Sequence, residues 1–296
     1  MTADVLVLQL ANGLSFGVIF ALIASGITLM WGIMDFINMA HGDLYMLGAY
    51  GIWLGLVIGI GSFWLALPLA VLGVMAIGLL LRVSVLRPIF DRPPLHTLLA
   101  TYGVGLMLQQ AVLAIFGPFS KEIALPVTGH VVLGPLRYPA YRVVVIGVGV
   151  VLIAAVGVLI QRSTYGLWIR AVAQDRAMTA ALGVPVPRVY TVVFALGSGL
   201  AAIGGALAAP LFGVSPTMGG EVILLAFIVV ILGGLGSFRG TIAAALLIGL
   251  SDGLVSVFLP VFSAAFTPTL SKILATLLVA LVLVFRPQGL FGKREP

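Results

Sequence analysis

Residues 5–43 read VLVLQLANGLSFGVIFALIASGITLMWGIMDFINMAHGD. No charged side chain occurs from Val5 to Met34, a run longer than the roughly 20 apolar residues a helix needs to cross hydrocarbon. Asp35, Asn38, His41 and Asp43 follow at once, set in sequence that is apolar on both sides. The first feature reads as a membrane-spanning helix. The second marks a place where the chain either leaves the membrane or breaks within it.

The rest of the chain repeats this texture. Of 296 residues, 61% are hydrophobic and 8% charged, and the mean hydropathy is +1.25. A soluble domain carries about 25% charged residues, so lipid is the solvent for most of this sequence. The 37 glycines and 16 prolines fit that reading, because both residues are commoner in membrane helices than in soluble ones. The absence of cysteine excludes a disulfide framework, a thiolate nucleophile and a cysteine zinc site. No Lys or Arg precedes Arg82, so the start lacks the basic segment of a cleavable signal peptide and the first run is expected to stay as a span. The net charge of +6 and pI near 10.0 do not indicate nucleic-acid binding, because the positive residues sit in short links between apolar runs.

These patterns predict an all-α polytopic membrane protein with eight to nine transmembrane helices, near 5–31, 43–60, 62–82, 96–117, 143–161, 189–212, 221–236, 240–260 and 269–286. The run from Val222 to Phe238 is at the short limit and ends in Gly233-Gly234-Leu235-Gly236-Ser237, so it reads equally as a re-entrant or broken helix. If Arg82 to Arg92, Arg162 to Arg188, Arg239 and the tail from Arg286 share one side, that side holds 11 of the 15 basic residues and is the predicted cytoplasmic one, C-terminus included. Lys121, Arg137, Arg142 and Lys272 fall opposite, and the proline-broken link 118–142 is an expected external loop.

An offset of 178 places Phe16 on Phe194, Gly26 on Gly204, Gly42 on Gly220, and Asp43 opposite Glu221. The expectation is one transmembrane domain, 1–296, built as an inverted repeat of halves 1–161 and 189–286 joined by a cytoplasmic segment, 162–188. In such repeats the transport path follows the interface between the halves.

Asn38, His41, Gly42 and Asp43 support two readings. They form a cytoplasmic turn whose Asn and Asp cap helices, or a broken helix lining a permeation path, whose free end offers backbone groups to a zwitterion or polar solute. Gly233, Gly234, Gly236 and Ser237 read as a helix-packing turn or a second break. Glu221 starts an apolar helix, where a carboxylate serves as a cap or lies near the path. Asp252 is an intramembrane acid that shares a face with Ser256, suited either to a buried hydrogen bond or to a proton relay.

The segment 162–188 contains a helix former from Trp168 to Leu182, ended by Gly183, Pro185 and Pro187. It reads as an interfacial helix with Arg170, Asp175 and Arg176 wet, or as a knob that docks into a partner. The lysines, Lys121, Lys272 and Lys293, fit no phosphate-binding loop, so the chain has no ATP site of that kind. His41, His96 and His130 have no metal spacing, and no nucleophile elbow or paired catalytic acids suggest an enzyme.

The motifs, in order, resemble the permease family of branched-chain amino acid ABC importers. Trp31 to Tyr50, WGIMDFINMAHGDLYMLGAY, contains its Ile-Asn-x-Ala-His-Gly signature. Arg170-Ala171 with Asp175, Ala180 and Gly183, then Ala226-Phe227 leading to Gly233–Ser237, then Arg286-Pro287-Gln288-Gly289-Leu290 continue the likeness along the whole chain. The resemblance implies a non-enzymatic, cofactor-free permease in a bacterial inner membrane, paired with a second, different permease subunit. Two cytoplasmic ATP-binding subunits and a periplasmic solute-binding protein would complete the importer. With that reading the expected translocation path takes in Asn38, His41, Gly42, Asp43, Glu221, Gly233, Gly234, Gly236, Ser237 and Asp252, and the resemblance selects the docking role for 162–188, with ATPase coupling expected through Arg170, Ala171, Asp175, Ala180 and Gly183. The segment 162–188 departs from the Glu-Ala-Ala form of the coupling loop in other importers. The expected cargo is a branched-chain or related amino acid, or urea or a short amide. A proton- or sodium-coupled transporter using Asp252 and Asp43 is the competing reading.

Overall fold

The computed structural model describes residues 3–90, 92–134 and 136–258, and, toward the C-terminus, 277, 281, 282, 284, 286 and 288–291. The predicted span 269–286 and Lys272 fall largely or wholly outside them.

The elements in chain order are α1 (Ala3–Met34), α2 (His41–Val57), α3 (Phe63–Leu81), a π-helical turn (Arg82–Leu86) running into α4 (Arg87–Ile89), and α5 (Pro94–Phe116). A hairpin of β1 (His130–Leu133) and β2 (Leu136–Pro139) follows. Then come α6 (Ala140–Arg162), α7 (Thr164–Gln174), α8 (Arg176–Ala181), α9 (Val186–Phe212), α10 (Met218–Gly233) and α11 (Phe238–Phe258). Among the described residues six helices are long and apolar enough to cross a membrane: α1, α3 continuing through α4, α5, α6, α9 and α11. The helices α2 and α10, with 17 and 16 residues, are the short ones. At 1.5 Å per residue each extends only about 25 Å, less than the roughly 30 Å hydrocarbon thickness.

Sequence explains where the helices stop. Gly117 and Gly213 take φ of 81° and 76°, a left-handed conformation suited to glycine, immediately after α5 and α9. Proline opens α5 and α9, where a missing N–H costs nothing. The hairpin inside the link 118–142 was not legible in the sequence; its strands pair antiparallel from His130 with Pro139 to Leu133 with Leu136.

At the centre lie α1 and α9, apolar on all sides and enclosed, whereas α3, α5 and α6 turn most of their surface outward. The packing is duplicated. The α1–α9 and α2–α10 contacts are accompanied by matched pairs: α2 on α9 with α10 on α1, α3 on α9 with α11 on α1, and α2 on α3 with α10 on α11. This is the pattern produced by exchanging α1, α2 and α3 for α9, α10 and α11.

The basic residues sort to two ends. At one, Arg82 donates from Nη2 to the Pro187 carbonyl at 2.7 Å, and the Arg176 guanidinium lies 4.8 Å from the Phe90 ring centre. At the same end, the N–H groups of Leu290 and Phe291 donate to the carbonyls of Leu232 and Gly233 at 2.8 and 3.1 Å. At the other, Lys121 pairs with Val214 through two 2.8 Å backbone bonds and its ammonium lies 5.5 Å from the Trp53 ring.

The tightest helix contact is α1 against α11, where Gly13 and Gly17 meet Ala245, Gly249 and Gly253 backbone to backbone. A Cβ on Gly249 would collide with the Gly13 carbonyl, whereas nothing lies within 4 Å of one on Gly73. Thermal unfolding of the purified protein in detergent therefore should show Gly249→Leu destabilised by about 1–3 kcal/mol or more, and Gly73→Ala unchanged or stabilised by up to about 1 kcal/mol.

Candidate functional site

After Met34 the chain reverses. Asp35, at φ 53°, is the single non-glycine residue with left-handed backbone among the described residues, and its N–H still bonds the Trp31 carbonyl at 2.9 Å. Residues 35–40 then climb back along α1. The Asn38 amide donates to Met30 Sδ at 3.7 Å, and His41 Nε2 lies 3.1 Å from the Ile23 carbonyl. Ile23 is about 16 Å back from the end of α1 by helix rise, so α2 begins in the middle of the bundle.

Two features hold this return, a threonine of α5 and a glycine of α1. Thr101 accepts the Met39 N–H at Oγ1 over 3.1 Å, and its hydroxyl lies 3.0 Å from the Leu98 carbonyl and 3.4 Å from that of Ile37. Gly26 of α1 leaves room for the imidazole of His41, which is fully buried; its Nδ1 has no hydrogen-bond partner among the described residues. The residue preceding α2 is Ala40, and no side chain caps the helix. Asn38 and Asp43 therefore do not serve as N-caps, and the break lies within the bundle.

The second break faces the first. After α9, residues 213–217 return and α10 starts at Met218. Its first turn abuts that of α2, with Gly42 and Gly219 in backbone contact. The Asp43 side chain lies at this junction. A Cβ on Gly219 would come within 2.8 Å of Asp43 Oδ1, and one on Gly105 of α5 would strike Oδ2. The carboxylate is only 9% exposed, so it sits between two glycines, near the positive ends of two helices. Glu221 is in the first turn of α10 with its side chain exposed.

The other sequence-derived residues fall elsewhere. Gly233, Gly234, Gly236 and Ser237 form the turn between α10 and α11, with φ of 99° at Gly234 and 76° at Gly236. That turn packs on Gly32, near the end of α1, about 14 Å along the helix from Ile23. Asp252 lies on α11 between Gly249 and Gly253, which meet Gly13 and Gln9 toward the opposite end. Ser256 does share its face, but its hydroxyl donates to the Asp252 backbone carbonyl at 2.8 Å.

In the connecting segment, Ser163 caps α7 by accepting the Gly166 N–H at 2.9 Å, and Asp175 caps α8 by accepting that of Met178 at 2.9 Å. Gly166, Ile169, Val172 and Thr179 face inward. Arg170 donates to the Ile160 carbonyl, Ala171 is half-buried, and Ala180 and Gly183 are exposed. Met178 and Leu182 stand out from the bundle end, 59% and 76% exposed, with Ala177 and Ala181 beside them. Sequence reasoning missed Thr101 and Gly105; a lone threonine or glycine in an apolar run carried no signal separable from packing.

Comparison with known proteins shows the family. Residues 9–283 match the family described as branched-chain amino acid transport system, permease component. The high-affinity branched-chain amino acid transport system permease protein LivH of Escherichia coli K12 is 30% identical over 303 residues, covering 97% of this chain and 96% of that protein. BraD of Pseudomonas aeruginosa, named for the same kind of system, is 32% identical over 304 residues with the same coverage. A solved structure, PsaBC from Streptococcus pneumoniae in complex with Fab, aligns over 92% of this chain and 90% of that one at 12% identity and TM-score 0.49. The chain belongs to the permease components of branched-chain amino acid transport systems.

Proposed function

We propose that this chain is one of two different permease subunits of an ABC importer in a bacterial inner membrane, carrying branched-chain or related amino acids. Two separate cytoplasmic ATPase subunits supply the power, and a periplasmic solute-binding protein delivers the cargo. The observation that carries the reading is the meeting of two helix starts, α2 and α10, in the middle of the bundle around Asp43. A zwitterion passing this junction meets a carboxylate for its ammonium group and free backbone N–H groups for its carboxylate.

The path in this proposal runs through Asn38, His41, Gly42, Asp43 and Glu221 at mid-depth. It has Gly233, Gly234, Gly236 and Ser237 toward the arginine-rich end and Asp252 toward the other. The duplicated packing supports two repeat halves, 1–161 and 189–286, rocking about this junction. The second permease covers the outward face of α5, where Tyr102 and Gln110 are exposed within a spanning helix and lipid would leave the amide without a partner.

The arginine-rich end, with 162–188 and the C-terminus, is cytoplasmic. There α8 presents Met178 and Leu182 as an apolar knob for the ATPase, and Arg170, Ala171, Asp175, Ala180 and Gly183 hold its shape. Gly183, at φ 83°, lets the chain turn from α8 toward α9.

Reconstitution with the ATPase subunits and solute-binding protein in vesicles tests both parts. Asp175→Ala removes a cap worth about 1 kcal/mol and should lower ATP-driven uptake severalfold with the assembled complex intact; Gly183→Pro should abolish it. Concentrative uptake by the chain alone, without any ATPase, would overturn the proposal. Gly105→Ala pushes a methyl group into the Asp43 carboxylate and Asp43→Asn removes its charge. Each should cut uptake by about tenfold or more, a transition-state loss of roughly 1.4 kcal/mol, while basal ATP hydrolysis persists.

A further inference from the structure

From Asp43 toward the Lys121 end of the bundle, α2 and α5 lie side by side along a seam. Gly105 of α5 meets the Asp43 carboxylate, and Phe116, at the far end of α5, stacks on Tyr50 of α2 with 5.2 Å between ring centres. The two helices therefore run parallel here. The stripe of α5 that faces α2 is Thr101, Gly105, Gln109, Val112 and Phe116, at the three- and four-residue spacing of one helix face. Asp43, Leu47 and Tyr50 form the answering stripe of α2.

Thr101 serves the return segment, and Gly105, Val112 and Phe116 pack. Gln109 does neither. It stands one turn, about 6 Å, beyond Gly105; it is half-buried, and its carboxamide has no hydrogen-bond partner among the described residues. A second unsatisfied group shares the seam. Tyr50 is 2% exposed, and its buried hydroxyl has no hydrogen-bond partner among the described residues. Leaving such groups unpaired away from water costs free energy, and hydrocarbon offers them no partner. Asp43, Gln109 one turn on and Tyr50 two turns on thus form a ladder of one carboxylate and two hydrogen-bond donors, flanked by apolar Leu47 and Val112.

We propose that Gln109 is a specificity-determining residue of this permease: its amide N–H donates to the carboxylate of the cargo while Asp43 takes the ammonium group, and the Tyr50 hydroxyl donates to the second carboxylate oxygen. An α-amino acid carries both charged groups on one carbon, and hydrogen bonds of about 3 Å at either end let it bridge the single turn between Asp43 and Gln109. Its aliphatic side chain lies against Leu47 and Val112. The inference rests on the cargo being an amino acid, as proposed above, and adds the side chains that read its carboxylate.

The chain has no cysteine, so Leu47→Cys places a single reactive thiol in the seam. Its rate of modification by a charged methanethiosulfonate reagent, measured on the purified full chain in detergent, reports occupancy without ATPase or transport. The test can therefore fail while the importer reading stands, and site protection in a chain that concentrates cargo without ATPase would spare this inference while overturning that one. Millimolar leucine, isoleucine or valine should slow modification. 3-Methylbutylamine, which lacks the carboxylate, and 4-methylpentanoate, which lacks the ammonium group, should protect at least about fivefold less well. Gln109→Ala should raise the amino-acid concentration needed for half-protection about tenfold, and Tyr50→Phe, which keeps the stacked ring, about fivefold. Gln161→Ala, on an exposed side chain at the opposite end of the bundle, should leave it unchanged. Thermal midpoints without ligand check that each variant is folded, and Tyr50→Phe carries the test if Gln109→Ala is not. Absence of protection by all three amino acids, equal protection by the amine, or protection indifferent to Gln109 and Tyr50 would overturn the proposal.

Discussion

Inside a hydrocarbon slab no water is available to the peptide group, so each backbone N–H and C=O must find its partner within the protein. Two segments of this chain, 35–40 and 213–217, abandon helical bonding between the central helices and the short ones, and the surrounding structure compensates. The Met39 N–H is taken by a threonine of α5, the imidazole of His41 reaches the Ile23 carbonyl, and Val214 exchanges two bonds with Lys121. The returning segments lie against α1 and α9, which are enclosed by the other helices and supply protein rather than lipid as the neighbour.

The same constraint accounts for the glycines. Without a hydrophobic drive between helices, packing and direct polar contact hold a membrane bundle together, and small residues let backbones approach. Gly13 and Gly17 on Gly249, Gly26 on Gly197, and Gly42 on Gly219 are three such approaches, spaced along α1 and the start of α2. Interhelical bonds reinforce them: Thr28 and Thr241 share a hydroxyl contact of 2.7 Å, and Tyr141 donates to the Leu207 carbonyl at 2.9 Å. The junction of α2 with α10 is thus one of a series of backbone contacts, differing from the others by the Asp43 carboxylate beside it.

Much of this was legible in the sequence. Apolar runs located each described spanning helix to within a few residues, because hydrocarbon thickness sets a length that composition alone reveals. The shortness of α10 followed from the glycine-rich stop at 233–237. The cluster around Asn38 and Asp43 was also recognisable, since polar groups flanked by apolar sequence always require an explanation. Its depth was not legible: it depends on the chain folding back along α1 after Asp35, and no local pattern separates a returning segment from an exposed turn. For the same reason Asp252 and Gly233–Ser237 looked equivalent to Asp43, although helix rise puts them at different levels. The matched helix pairings of α1 to α3 and α9 to α11 had only a faint counterpart in the sequence.

The last described residues have a bearing on the order in which the molecule is completed. Leu290 and Phe291 bond the final carbonyls of α10, groups that a helix end cannot satisfy by itself. During synthesis those carbonyls emerge more than fifty residues ahead of their partners. That end of α10 thus stays unsealed until the intervening residues have been made, and α1 to α9 can consolidate before it is closed.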